Sequence, residues 1–156
     1  MRTMTALCSV MAMGLVTAVA TEAMAEKAAA TLMPAADLKW ADVPNIPGIK
    51  IAVAAGDPNK GASQFYLKFD KGFTAGEHHH TADHSGTVVA GTLVLTVDGK
   101  ETRLPPGSYF AFNGKKVHAT KCDPAADCIL AMDAHGKWDV VPEAAKPESK
   151  KPAATK

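Results

Sequence analysis

Apolar and polar positions alternate along the middle of this chain with a period of two. Between Gln64 and Phe69, the residues Phe65, Leu67 and Phe69 fall on one side, and Tyr66 and Lys68 on the other. Successive side chains of a strand point to opposite faces, so this segment predicts a half-buried strand. Ile49 to Ala54 reads the same way, and Thr87 to Val97 is a longer β-rich run. Within that run Gly91 predicts a bend or bulge, and Leu93, Leu95 and Val97 share a face. Asp98-Gly99 is a two-residue hairpin signal, which makes Lys100 to Leu104 the returning strand. Pro105-Pro106-Gly107 turns the chain again before Ser108 to Phe112, Val117 to Thr120 and Cys128 to Met132. No long segment has helical periodicity. Short strands with frequent turn signals predict an antiparallel sandwich or barrel over residues 40–142.

The flanks follow other patterns. Arg2 precedes an apolar stretch from Ala6 to Ala20, and Ala23-Met24-Ala25 is a small-x-small cleavage site. Residues 1–25 therefore read as a signal peptide, with Glu26 the first residue of the mature chain and residues 26–39, rich in Ala, as a linker or N-terminal arm. The apolar stretch is short for a spanning helix, so an uncleaved anchor is the competing reading. The expected location is periplasmic or secreted, with no membrane attachment after cleavage. The leader has no twin-Arg pair, which favours export of an unfolded chain. Residues 143–156 are Lys, Pro, Ala and Glu with little to bury, and predict a disordered tail.

Composition narrows the function classes. A net charge of +1 gives no electrostatic case for nucleic acid or a membrane surface. Aromatic content of 6% argues against a base-stacking surface. Cys8 leaves with the leader, and Cys122 and Cys128 remain. Asp123-Pro124 between them favours a turn, so export to an oxidising compartment predicts a disulfide closing a short loop. Two free buried thiols are the alternative.

Four of the six histidines carry the candidate chemistry. His78-His79-His80 lies in a strand-like stretch, where His78 and His80 share a face and His79 points away. His84 follows after Thr81-Ala82-Asp83, and His118 begins a later strand that the intervening hairpin can bring back beside the first. Neutral imidazoles bind Mn, Fe, Cu, Zn or Ni, so a divalent transition metal is the expected cofactor. Three consecutive histidines on a polar surface would be the bland reading; His84 and His118 at these positions argue for a site. Glu77 and His79 are expected to be solvated, Asp83 to form a turn or to orient His80 or His84, and His135 to be structural or exposed. Tyr66, Tyr109 and Phe110 are expected to pack, one of them against the pocket.

These residues resemble the two motifs of the cupin superfamily. The first is Gly, five residues, His-x-His, three or four residues, Glu, six residues, Gly; here Gly72, His78, His80, His84 and Gly91 stand at those spacings. Gly107, Ser108 to Phe112 and His118 match the outline of the second. Asn113 stands where proline is usual, Gly114 is displaced by one position, and Cys122 replaces the usual asparagine. The Leu-Pro-Pro-Gly-Ser-Tyr run is similar to small bacterial cupins grouped with anti-sigma-factor sensor domains, although an export signal argues against such a cytoplasmic role. The resemblance implies an all-β fold, an antiparallel double-sheet β-barrel of jelly-roll type, with His78, His80, His84 and His118 as metal ligands. It also implies a small-molecule ligand or substrate, and cupins commonly form homodimers.

His84 occupies the position where the family usually places glutamate. Four neutral ligands leave a divalent ion its full +2 charge, which strengthens its Lewis acidity and favours anionic ligands. Some cupins with an all-histidine site bind manganese and cleave their substrates oxidatively. Three functions follow: a dioxygenase-like oxidoreductase, a non-catalytic metal- or ligand-binding protein, and a metal-assisted isomerase or lyase. The absence of an obvious acid or base beside the ligands favours the first over the third. Closed tetrahedral zinc would favour the second.

Overall fold

A computed structural model describes residues 30–144. The expected signal peptide 1–25, the start of the expected arm and nearly all of the expected tail lie outside the described residues. The described residues from Leu32 onward belong to one compact unit. Residues 30–39 hold only a 3-10 turn, Ala35–Asp37, with no buried side chain.

Eleven strands follow: β1 Ala41–Asp42, β2 Ile49–Gly56, β3 Ser63–Phe69, β4 Thr74–His79, β5 His84–Ala90, β6 Leu93–Val97, β7 Lys100–Leu104, β8 Tyr109–Phe112, β9 His118–Cys122, β10 Cys128–Ala134 and β11 Val141–Pro142. A six-stranded sheet runs β1-β2-β3-β10-β5-β8, and a five-stranded sheet runs β11-β4-β9-β6-β7. All pairings are antiparallel. The two sheets are not joined by strand pairing, so the jelly roll is a double-sheet sandwich and not a hydrogen-bonded closed barrel.

Burial follows the period-two pattern. β3 alternates with Phe65, Leu67 and Phe69 inside, and its partner β10 does the same with Cys128, Leu130, Met132 and Ala134. Val88 from β5, with Leu93 and Leu95 from β6, meets them in one core. At Asp98-Gly99 both residues have positive φ, 51° and 76°, the geometry a two-residue hairpin needs, and Val97 pairs with Lys100.

The expected run Thr87 to Val97 divides at Gly91. There the chain leaves the six-stranded sheet as β5 and enters the five-stranded sheet as β6. Gly91 has φ of 71°, and a Cβ on it would meet the Asp127 carbonyl oxygen at 2.4 Å. Only glycine fits both the left-handed backbone and that close approach. The disulfide between Cys122 and Cys128 joins the end of β9 to the start of β10, and so ties one sheet to the other.

Candidate metal centre

All four candidate histidines are buried. His78 and His118 are register partners on β4 and β9, with ring centroids 4.4 Å apart. The ladder between these strands slips after Ala75↔Thr120, placing an extra residue on β4 before His78. Such a bulge turns the strand and re-aims its side chains. His80 directly follows β4 and lies on the same inward side as His78. One ring nitrogen each from His78, His80 and His118 fall within 4.8 Å of one another, a group that could hold a metal ion.

His84 stands apart from this trio. It opens β5 in the opposite sheet, with its ring centroid 4.6 Å from His80 and 6.0 Å from His118. His84 packs against His80 but lies outside the group of three whose ring nitrogens fall within 4.8 Å of one another.

Each ring is oriented through Nδ1. The Nδ1–H groups of His78, His84 and His118 donate to the carbonyls of Gly76, Ala82 and Lys116, at 2.7, 3.2 and 2.9 Å. His80 Nδ1–H donates to the Asp139 carbonyl. A carbonyl oxygen can only accept, so Nδ1 carries the proton and the lone pair is on Nε2. This is the donor state a divalent transition metal requires, with its outer hydrogen bonds already made. Burial holds the pKa of His80 down to about 3 and that of His118 down to about 4, and it also lowers that of His84. These three rings stay neutral at neutral pH, and the donor set fits a metal.

Two aromatic walls fix the rings further. Trp138 stacks on His80 with centroids 3.9 Å apart and planes 20° apart. Phe112 stacks on His118 at 4.3 Å and 5°. Neither aromatic carries a site signal in the sequence: Phe112 reads as one more strand residue, and Trp138 lies beyond the last recognisable strand.

The histidines line a cavity of about 490 Å³ whose other walls are largely apolar, including Ile49, Leu67, Phe73, Leu95, Phe110 and Leu130. Its wall carries no Lys or Arg among the described residues; Thr120, Glu77 and Glu143 add the polar atoms beside the imidazoles.

The neighbouring expectations divide. Asp83 accepts a hydrogen bond from Gly114 N–H at 2.6 Å and bonds neither His80 nor His84 through its side chain, so it staples the β8–β9 loop to the turn before β5. Gly114 packs so close there that a Cβ would meet the Thr81 carbonyl oxygen at 2.3 Å. His79 points away from the cluster, as the alternation requires, but is half-buried, with Nδ1 2.5 Å from a Glu143 carboxylate oxygen. Glu143 therefore belongs to the folded unit and not to a tail, because β11 carries it alongside β4. Glu77 is exposed but lines the cavity. Phe110 lines the cavity; Tyr109 is 65% exposed and is not a packing residue. His135 is exposed near Asp133.

Residues 65–132 match the sequence model of Cupin_2, the cupin domain, so this stretch is a cupin domain. The chain is 31% identical over 81 residues to the HTH-type transcriptional regulator PuuR of Escherichia coli (strain K12), a match covering 51% of this chain and 43% of that protein. The chain thus matches less than half the length of that relative. The structure of KdgF from Halomonas sp. has a TM-score of 0.57 at 24% identity, over 69% of this chain and 94% of that one. The polyketide cyclase RemF from Streptomyces resistomycificus has a TM-score of 0.62 at 14% identity, over 76% and 88%. At these identities the likeness is one of fold, which hosts many unrelated chemistries.

Proposed function

We propose that the protein is an exported cupin that binds one divalent transition metal through His78, His80, His84 and His118, and acts as a dioxygenase-like oxidoreductase on a small organic substrate. The observation that carries this reading is the meeting of two features in one place. Buried imidazoles, each with Nδ1 bonded to a backbone carbonyl, stand in the wall of a largely apolar cavity of about 490 Å³. A structural ion would need only the imidazoles; the cavity adds room for a ligand beside them.

When bound, the ion would supply Lewis acidity and, if redox-active, one-electron chemistry. The chain's own residues bind and orient. Ile49, Leu67, Phe73, Leu95 and Leu130 favour an apolar substrate body and exclude water. Without a Lys or Arg in the wall, the ion itself would be the counter-charge for an anionic group. The substrate is therefore a compact, mainly apolar molecule with a single anionic or enolisable end directed at the histidines.

Elemental analysis of protein purified from its native compartment would identify the ion. Oxygen uptake would then be measured with the Mn-, Fe- and Cu-loaded protein against enolic and phenolic compounds. Uptake that depends on His80 and His118 supports the proposal. Tight metal binding with no uptake across the panel removes the oxidoreductase and leaves a non-catalytic metal- or ligand-binding protein.

A further inference from the structure

The segment after β10 is held by backbone bonds to the β2–β3 loop and then to β4. Trp138 N–H donates to the Pro58 carbonyl at 2.8 Å, Val141 and Pro142 pair with His79 and His78, and Glu143 N–H donates to the Glu77 carbonyl at 2.9 Å. Asp139 sits in the middle. Its carboxylate accepts from Thr81 N–H at 2.7 Å and from the Thr81 hydroxyl at 2.6 Å. Its carbonyl accepts from His80 Nδ1–H.

His80 differs from the other three rings in this respect. His78, His84 and His118 each donate to the carbonyl two residues earlier, a bond that the local backbone supplies. The acceptor for His80 lies 59 residues away in sequence. Its tautomer therefore depends on where the distant segment is held, and Thr81, the residue next to His80, holds it.

We propose that Asp139, clamped by Thr81, is a positioning residue for the histidine centre: its carbonyl keeps His80 in the Nδ1–H tautomer with Nε2 available as a donor. The clamp deepens the metal-centre reading on which it rests. A His80 ring released to the Nε2–H tautomer has no lone pair where the other rings converge, and Trp138 stacking alone does not choose between tautomers. The segment that makes this bond also lines the cavity through Val140 and Pro142, so the seating of the last strand completes both the ligand set and the pocket.

The test compares full-length wild type with Asp139→Ala, Thr81→Val and Thr81→Ser. Zn²⁺ affinity would be read by competition with a chromophoric chelator, and ring tautomers by ¹⁵N NMR of metal-free, histidine-labelled protein. Asp139→Ala is expected to weaken Zn²⁺ binding about 10–100-fold, as loss of a ligand's outer partner does. His80 should become a tautomer mixture while the other three rings keep Nδ1–H. Thr81→Val should fall between Asp139→Ala and wild type, with Thr81→Ser restoring wild-type behaviour. Affinity within twofold of wild type together with an unchanged His80 tautomer in Asp139→Ala overturns the clamp. If that variant does not fold, the Thr81 pair decides, and equal affinity and tautomer for Val and Ser overturns it. Failure of wild type to bind Zn²⁺, Mn²⁺, Fe²⁺ or Cu²⁺ overturns the metal reading instead, and the tautomer measurement separates the two results.

Discussion

The two sheets contribute unequally to the histidine cluster. The five-stranded sheet supplies His78 and His118 as register partners, and His80 follows β4 directly. Their spacing is set by ladder geometry, which holds facing residues about 4.5–5.5 Å apart. The six-stranded sheet supplies only His84, from the start of β5. No strand pairing relates β5 to β4 or β9, so its distance from the trio depends on how side chains pack between the sheets. Groups bound to one ladder are preorganised; a group across the sandwich must be brought in by packing or by a ligand.

Removing a member of the trio should have the largest effect. His118→Ala and His80→Ala are each expected to weaken metal binding by more than the ~100-fold upper range for losing an outer hydrogen-bond partner. Metal content per chain after purification checks this, and undiminished content in both variants would refute the site.

Acid should act through two members of the trio, His80 and His118. In the metal-free protein, burial holds the His80 pKa near about 3 and the His118 pKa near about 4, against an ordinary value of 6.5. The unfolded chain binds protons that the folded one refuses, so stability is complete above pH 6.5 and declines as pH falls from there toward 4 and 3. A thermal midpoint that stays level from pH 7 down to 4 would contradict the buried, neutral rings.

The disulfide tests the packing between sheets. It links β9 to β10 at the end of β9 opposite His118. A Cys122→Ser, Cys128→Ser double variant is expected to lose about 2–3 kcal/mol, or roughly 10 °C in midpoint. The His78–His118 pair should survive, because it rests on the β4–β9 ladder. Metal affinity falling as steeply as stability would show that the trio also depends on packing between the sheets.

The smallest and most discriminating effect is expected at His84. His84→Ala should weaken metal binding only about tenfold, near the low end of outer-partner losses, because three preorganised donors remain. A loss equal to that of His118→Ala, read by the same chelator competition, would make the four donors equivalent and erase the difference between the sheets.

Much of this was legible from residues close together in the chain. Alternation located β3 and the start of β10; Asp98-Gly99 located the β6–β7 hairpin. The spacing of His78, His80, His84 and His118 marked the residues that converge. Other elements left no such trace. β1 and β11 are two residues each, too short for a periodic signal. The passage of the chain from one sheet to the other at Gly91 looks in sequence like a bend in a single strand, because its cause is the Asp127 backbone far along the chain.

By itself the sequence determined the longer strands, the Asp98-Gly99 hairpin and the four imidazoles, since these depend on neighbouring residues and period-two burial. Local backbone then supplies the acceptors of three rings, Gly76, Ala82 and Lys116, each two residues from its histidine. Tertiary structure alone decided the rest: the offset of His84 from the trio, the stacking of Phe112 and Trp138, and the Asp139 carbonyl that orients His80. Those depend on groups from different strands arriving at one point, and a contact of that kind exists only after the sheets have packed.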